Sequence, residues 1–342
     1  MKKLLPFLFS FFGIFTFSQQ IESFKTILND KISIRALEIY DNKVWYSGTD
    51  SKFGFVDLKN LKNQKQIRLS EKKLQFRTLG ESKNFFYTIN IESPAEFFKI
   101  NKKSLKYEIV FRDTAKTAFY DALHFVNEAG FAFSDPDKDL NLKLVTLLAS
   151  KNNYSFYNVG FTNHDRVKLK EGEAAFAASN TNIASYKSNL WIATGGKSSR
   201  ILRMKNLSIE VFETPFIQGE SSQGMYSIDF LNDKFGIAVG GDYTKQDANI
   251  NNIATTNDGG ETWQIQASGK NAGYTTCVKI KPNSNGKEII SVGDQHISYS
   301  SDFGKTWTKI SDEKGFFVCK WVDENTVVFA GNGKISVMKL KF

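Results

Sequence analysis

The chain has 342 residues, of which 41% are hydrophobic and 14% aromatic, and its formal net charge at pH 7 is +9. This is enough apolar material for one large core or an array of packed repeats, and the many aromatic residues beside only 5 prolines favour β structure. The lysines are spread along the chain without a basic-aromatic motif, which argues against a nucleic-acid-binding protein.

The first 18 residues have the features of a signal peptide. Two lysines precede an apolar stretch from Leu4 to Phe17, and the small residue Ser18 suits cleavage before Gln19. The apolar stretch is short for a transmembrane helix, and no other stretch approaches the necessary length. The sequence therefore predicts an exported, soluble protein, periplasmic or extracellular and without a transmembrane anchor, in which residues 19–342 form a single domain.

A repeated strand pattern begins after the N-terminal region. In each unit an alternating segment leads through a turn into a second apolar strand, and these segments begin 42–53 residues apart. They begin at Arg35, Arg77, Asp121, Glu173, Tyr226, Thr275 and Phe317. A period of this length is typical of a four-stranded propeller blade. The sequence therefore predicts an all-β fold, a seven-bladed β-propeller, with a six-bladed ring whose first unit is irregular as the alternative.

Two turns late in the chain match the pattern Ser/Thr-x-Asp-x-Gly-x-Thr-Trp, known as the Asp box. The matching segments are residues 256–263 and 300–307, and their tryptophans lie 44 residues apart. In such a turn the Asp carboxylate accepts backbone hydrogen bonds, the Gly supplies the backbone angles, and the Trp anchors the hairpin between blades. The residues in these structural roles are Asp258, Gly260, Trp263, Asp302, Gly304 and Trp307.

The C-terminus suggests how the ring closes. Only 25 residues follow Phe317, which is enough for three strands but not for a fourth. We expect the segment Gln20–Leu28 to supply the missing outer strand of the last blade, because closure removes exposed sheet edges.

Two cysteines share one register position in the last two units. Cys277 and Cys319 lie 42 residues apart and could form a disulfide between neighbouring inner strands in an exported protein. They could equally be two buried small hydrophobic residues, because only the geometry decides whether the sulfurs can bond.

Several stretches resemble one known family. They include residues 172–179 (Gly-Glu-Ala-Ala-Phe-Ala-Ala-Ser), 193–196 followed by Arg200, and 239–243 (Val-Gly-Gly-Asp-Tyr), together with both Asp boxes. The chain resembles the exported Asp-box propellers related to photosystem II stability and assembly factors, within the BNR and sialidase-like superfamily. This resemblance implies a seven-bladed propeller. It does not imply one activity, since photosynthetic relatives are assembly factors while bacterial relatives are often called oxidoreductases or glycosyl hydrolases.

The register gathers polar residues at one mouth of the channel, where inner strands begin and second strands end. The candidates for binding an anionic or sugar-like ligand are Arg35, Arg77, Asp121, Glu173, Tyr226, Arg200, Asp242 and Tyr243. Arginines hold the substrate carboxylate in sialidases, where a Tyr–Glu pair is the nucleophile, so Tyr226 and Glu173 are the candidate catalytic pair. The arginines and carboxylates could instead form structural ion pairs across the channel.

The sequence favours binding over catalysis. It predicts a scaffold for a protein or glycan partner at the cell envelope, with a sialidase-like glycosidase acting on an anionic glycan as the alternative. No dinucleotide motif accounts for an oxidoreductase, and the three histidines lack metal-ligand spacing, so we expect neither a cofactor nor a metal. The oligomeric state is left open.

Overall fold

The computed structural model describes residues 20–149, 154–159, 161–162, 165–206 and 208–341, and the predicted signal peptide lies outside them. Every regular element within these residues is a β-strand. The first half of the chain forms β1 (Gln20–Tyr40), β2 (Lys43–Gly48), β3 (Lys52–Asp57), β4 (Gln64–Arg68), β5 (Gly80–Glu81), β6 (Phe85–Ile89), β7 (Ala95–Asn101), β8 (Tyr107–Asp113), β9 (Tyr120–Val126), β10 (Ala129–Ser134), β11 (Lys143–Ala149), β12 (Tyr154–Val159), β13 (Phe161–Thr162) and β14 (Asp165–Arg166). The second half forms β15 (Glu173–Ala174), β16 (Ile183–Tyr186), β17 (Asn189–Ala193), β18 (Gly195–Gly196), β19 (Arg200–Lys205), β20 (Ser208–Glu213), β21 (Gln223–Phe230), β22 (Gly236–Asp242), β23 (Ile253–Thr256), β24 (Gln264–Ile265), β25 (Cys277–Ile280), β26 (Ile289–Gly293), β27 (His296–Ser300), β28 (Thr308–Ser311), β29 (Phe316–Trp321) and β30 (Thr326–Lys341).

The described strands form six antiparallel sheets of four or more strands. Four of these sheets have four strands each, namely β5–β8, β9–β12, β25–β28, and the set β16, β17, β19 and β20. The other two have six strands each, in the orders β29-β30-β1-β2-β3-β4 and β15-β18-β21-β22-β23-β24, and β13 pairs with β14 in a small hairpin. Successive antiparallel sheets of this kind, arranged around a channel, form a β-propeller.

The N-terminal strand closes the ring, as the sequence predicts. The first half of β1, from Gln20 to Asn29, pairs with the end of β30. β30 folds back on itself, because the backbone N–H of Leu340 donates to the carbonyl oxygen of Asn325 at 2.8 Å. The two ends of the described chain are therefore held in one sheet.

The number of sheets corrects the predicted blade count. β1 is a single strand that pairs with β30 as far as Ser33, with a register shift after Asn29, and with β2 from Ile34 onward. The first and last repeat units consequently belong to one continuous six-stranded sheet. The propeller has six sheets, which matches the alternative, rather than seven separate ones.

The positions predicted to begin inner strands lie in or just before the innermost strands, with one exception. Glu173 lies in the two-residue strand β15, whereas the innermost strand of its unit, β16, begins ten residues later at Ile183. The intervening residues 175–182, here called the plug segment, contain the run Ala-Phe-Ala-Ala-Ser. This run lacks the apolar–polar alternation of a strand, and no strand forms between β15 and β16. The predicted strand start at Glu173 was therefore wrong.

The two Asp-box turns have the same hydrogen bonds. Asp258 accepts from the backbone N–H and the hydroxyl of the Thr four residues later, at 2.9 and 2.5 Å, and Asp302 does so at 2.9 and 2.7 Å. The indoles of Trp263 and Trp307 each donate to the Gly carbonyl three residues earlier, at 3.1 and 2.9 Å. Both tryptophans pack into apolar layers between sheets, so these turns serve the scaffold.

Candidate functional site

The plug segment separates two cavities in the channel. Ser179 Oγ donates to the carbonyl oxygen of Thr276 at 2.6 Å, and the Asn180 side-chain amide donates to that of Leu79 at 2.7 Å. These acceptors belong to different parts of the ring, so the segment is tied across the channel. Its first half lines one cavity and its second half lines the other.

The first cavity, here called the arginine cavity, has a volume of about 600 Å³. It is in the size range of small-ligand sites. Its walls bring together Arg35, Arg77, Asp121, Tyr226 and Tyr243, five of the residues singled out from the sequence. They meet because inner-strand starts and second-strand ends reach the same end of a propeller channel.

Arg35 and Arg77 place two positive charges in this wall. Arg35 Nη1 donates to the carbonyl oxygen of Ala178 at 3.1 Å, and its guanidinium carbon lies 4.0 Å from the centroid of the Phe317 ring. Burial and the like charge of Arg77 lower the pKa of Arg35 to about 10. Burial also lowers the pKa of Arg77, against the opposing influence of Asp121.

Neither arginine is in a salt bridge within the described part of the chain. No carboxylate oxygen there lies within 4.0 Å of the nitrogens of Arg35 or Arg77. Neither Arg35 nor Arg77 therefore forms the structural ion pair across the channel that was the alternative to ligand binding.

Asp121 borders the same cavity and is fully buried. Neither of its carboxylate oxygens has a hydrogen-bond partner. The nearby backbone N–H of Ala177 nevertheless acts to lower the pKa of Asp121. Burial and the neighbouring Asp135 carboxylate raise the pKa of Asp121 well above its usual range. Burial also raises the pKa of Asp135 to about 6. Protonation of this acid pair makes the cavity more positive.

An aromatic wall lies opposite the charged groups. The Tyr226 ring stacks on Phe176 with centroids 3.8 Å apart and meets Tyr274 edge-on at 4.8 Å. The Tyr226 hydroxyl donates to the carbonyl oxygen of Ser222 at 2.7 Å, and burial raises its pKa above the ordinary value. The Tyr226 hydroxyl is therefore already engaged as a hydrogen-bond donor, and its ring forms part of the aromatic wall.

Glu173 and Arg200 lie outside the arginine cavity wall and form a buried ion pair with each other. Arg200 Nε donates to both carboxylate oxygens of Glu173 at 3.0 and 3.1 Å, and Nη2 donates at 2.6 Å. The Thr194 hydroxyl and the backbone N–H of Lys170 complete the shell at 2.6 and 2.8 Å. The structure therefore does not bring Glu173 and Tyr226 together as a catalytic pair.

Asp242 is the last residue of β22, Tyr243 follows it, and the two differ in role. Asp242 is buried and accepts from the backbone N–H and the hydroxyl of Thr244 at 2.9 and 2.6 Å. Although burial opposes it, these hydrogen bonds keep the pKa of Asp242 below its usual value. The side chain of Tyr243, 51% exposed, stands at the cavity rim.

Three further residues of the wall were missed as candidates from the sequence. Asp294 follows β26 and was detectable, because it occupies the same second-strand end as Asp135 and Asp242. Tyr274 and Phe317 also line the cavity and could have been found from their register positions. They were not chosen because an aromatic residue at the start of a strand is typical of a hydrophobic core.

The second cavity, here called the lysine cavity, has a volume of about 740 Å³ and lies beyond the plug segment. Its walls include Lys102, Lys279, Lys320, His124 and Cys319. Burial and the charges of Lys279 and Lys320 lower the pKa of His124 to about 3, so its imidazole is neutral. Cys277 and Cys319 meet at this side as free thiols with their sulfurs 3.8 Å apart, so the alternative of two buried, unbonded cysteines describes this structure.

The described residues contain neither a metal-ligating cluster nor a membrane-spanning helix. Three or more His, Cys, Asp or Glu side chains do not converge there on a possible metal position. None of the described segments forms a helix long and apolar enough to span a bilayer.

Comparisons with known proteins define the fold class. No family model and no curated protein matches the sequence. A solved structure described as "YCF48 bound to D1 peptide" is similar with a TM-score of 0.65 and 11% identity, over 93% of this chain and 97% of that one. The RRP9 WD40 repeats give 0.66 and 11%, over 95% and 100%, and the Doa1 WD40 β-propeller domain gives 0.64 and 9%, over 94% and 97%. At these identities the likeness shows that this chain has the β-propeller fold.

Proposed function

We propose that this chain is an exported propeller that binds a partner protein at the cell envelope, and that its arginine cavity holds a carboxylate of that partner. The observation that carries the proposal is the pair Arg35 and Arg77, which share one cavity without a salt bridge. A bound carboxylate would relieve their mutual repulsion and accept charge-assisted hydrogen bonds. Asp121 would be protonated and able to donate to the same ligand.

The walls favour a peptide over a glycan. Phe176, Phe317 and the plug-segment alanines offer apolar area, whereas the many hydroxyls of a sugar need a polar partner each. A peptide end with one carboxylate and one apolar side chain matches two arginines and an aromatic wall. The structural neighbour described as bound to a peptide is consistent with this class of ligand.

The family and location belong to the same proposal. Membership of the Asp-box (BNR) propellers related to photosystem II assembly factors, the signal peptide at residues 1–18 and a mature domain of residues 19–342 rest on sequence patterns. Cell fractionation and the N-terminal mass of the recovered protein test export. A cytoplasmic protein that keeps Met1 would contradict it.

Binding is tested with short peptides on the mature chain. We expect a peptide with a free C-terminal carboxylate next to an aromatic residue to bind at least about tenfold more tightly than its C-terminal amide. Arg77→Gln should abolish this preference, whereas Arg68→Gln, which changes an exposed arginine on β4, should not. Equal binding of acid and amide, or binding of an anionic oligosaccharide but of no peptide, would refute the proposal.

A further inference from the structure

Two cysteines on neighbouring innermost strands lie close together beside the lysine cavity. Cys277 begins β25, and Cys319 lies within β29, the first strand of the sheet that closes the ring. Their sulfurs are 3.8 Å apart, and Cys319 contributes to the cavity wall. The proposed function uses neither residue.

The backbones on either side of the two sulfurs are held in register. The Thr276 hydroxyl donates to the carbonyl oxygen of Phe317 at 2.6 Å, and the Trp321 indole donates to that of Lys279 at 3.3 Å. The strands therefore keep the thiols facing each other. For a disulfide to form, the sulfurs must move from 3.8 Å to a bond length of about 2.05 Å.

The two thiols have unequal surroundings. The backbone N–H of Cys319 donates to Cys277 Sγ at 3.5 Å and the Cys319 thiol donates to the same sulfur at 3.8 Å, while the Cys277 thiol donates to the Cys319 carbonyl oxygen at 3.6 Å. Although burial opposes it, the two Cys319 donors and the Lys279 ammonium lower the pKa of Cys277 to about 7. Burial and the adjacent Cys277 sulfur raise the pKa of Cys319. One residue is thus placed to attack and the other to resolve.

We propose that Cys277 and Cys319 form a peroxide-reactive dithiol in which Cys277 is the attacking and Cys319 the resolving residue. The Cys277 thiolate attacks one oxygen of hydrogen peroxide, so an S–O bond forms, the O–O bond breaks and hydroxide leaves. Hydroxide takes the Cys319 proton and becomes water. The Cys319 thiolate then attacks the Cys277 sulfur, the S–S bond forms, and the second hydroxide takes a proton from solution. Two thiols and one peroxide give one disulfide and two waters.

Access and consequence follow from the position of the pair. The lysine cavity, with a volume of about 740 Å³, is lined by Cys319 and not by Cys277, so peroxide from this cavity must pass the Cys319 side chain to reach the Cys277 sulfur 3.8 Å from it. The resulting bond links the sheet of β25–β28 to the sheet that contains both chain ends. Oxidation would therefore fasten the ring at its closure.

The test measures thiols and mass in the folded mature chain. After hydrogen peroxide and denaturation under non-reducing conditions, the wild-type protein should lose both thiols together and about 2 Da, and dithiothreitol should restore both. Cys319→Ser should instead trap a sulfenic acid at Cys277, detected as a dimedone adduct. Cys277→Ser should react at least about tenfold more slowly.

Three results would overturn the inference. The wild-type protein could keep both thiols under peroxide until it is unfolded. It could form disulfides only between chains. Dimedone could label Cys277→Ser as fast as Cys319→Ser, which would show that Cys319 attacks first. The wild-type measurement does not depend on either variant, so it decides the matter even if a variant fails to fold.

Discussion

The Glu173–Arg200 pair allows a sharp test of whether Glu173 is structural or catalytic. Its side chains are 0% and 9% exposed, and the carboxylate accepts from the guanidinium, a hydroxyl and a backbone N–H. Glu173→Gln removes the negative charge but keeps the size of the side chain. The variant leaves the buried Arg200 guanidinium with only Glu213 as a counter-charge, whose carboxylate lies 3.9 Å away on a side chain that is 64% exposed.

The expected loss of stability follows from this burial. Breaking a buried ion pair by removing one partner costs about 3–5 kcal/mol, because the remaining charge has lost both water and partner. Gln retains one oxygen that can still accept from Thr194 or Lys170, so we expect a value near the lower end, about 3 kcal/mol.

Urea unfolding of the mature chain measures this loss. Arg200→Met and the double variant complete a cycle, in which the double variant should cost at least about 1.5 kcal/mol less than the sum of the single ones. Glu108→Gln is the control, since Glu108 pairs with Lys99 on the surface with 63% of its side chain exposed. We expect it to cost less than about 1 kcal/mol.

The folded Glu173→Gln protein should bind the carboxylate peptide as the wild type does, because Glu173 is not in the cavity wall. A loss below about 1 kcal/mol, or additive single variants, would refute the assignment of a structural ion pair. Hydrolysis of a glycan that Glu173→Gln abolishes without loss of stability would support the glycosidase instead.

Three further predictions concern the scaffold and the acid pair. Burial raises the pKa of Asp135 to about 6, so the folded protein keeps a proton that the unfolded chain releases above 3.8. Stability should therefore fall as the pH rises from about 4 to 6, and Asp135→Asn should flatten this part of the Tm profile; an unchanged slope would contradict the reasoning. Gly240→Ala would place a Cβ 2.0 Å from the Gly224 carbonyl oxygen, so we expect thermal unfolding to show a loss of stability of at least about 2 kcal/mol. A much smaller loss would show that the backbone at this position has room for a Cβ. Asp258→Ala removes the carboxylate that accepts hydrogen bonds from Thr262, and it should lower the stability by about 1–2 kcal/mol in the same assay. The hydrogen bond from the Trp263 indole to the Gly260 carbonyl oxygen should remain. No loss of stability would show that the turn does not need the Asp258 carboxylate.

Much of the arginine cavity was predictable from the repeat. The register that placed Arg35, Arg77, Asp121 and Tyr226 at strand starts also placed them at one mouth, because equivalent positions of a propeller share one face. The same rule applied to β26 would have added Asp294. Glu173 departs from this register, and the sequence signal for this was the run Ala-Phe-Ala-Ala-Ser after it, which lacks the apolar–polar alternation of a strand.

Contacts distant in sequence determined the rest. Glu173 forms a salt bridge with Arg200, 27 positions later in the sequence. The plug segment forms hydrogen bonds with Leu79 and Thr276, which lie about a hundred positions before and after it. The local sequence pattern cannot predict such pairs, because the two partners meet and stabilise each other only after the ring has closed.

The sequence by itself determined the all-β class, the two Asp-box turns and the closure of the ring by the N-terminal strand. These features depend on alternation, turn chemistry and repeat length, which are local properties of the chain. Only the tertiary structure decided that the first and last units merge into one sheet, that the plug segment divides the channel, and that neither Arg35 nor Arg77 forms a salt bridge with another described residue. The physical reason for the first is that the single strand β1 pairs with both β30 and β2, and the reason for the second is that Ser179 and Asn180 bond to different parts of the ring. The third follows because Glu173 is bound to Arg200 and Asp121 lies outside salt-bridge distance of Arg77.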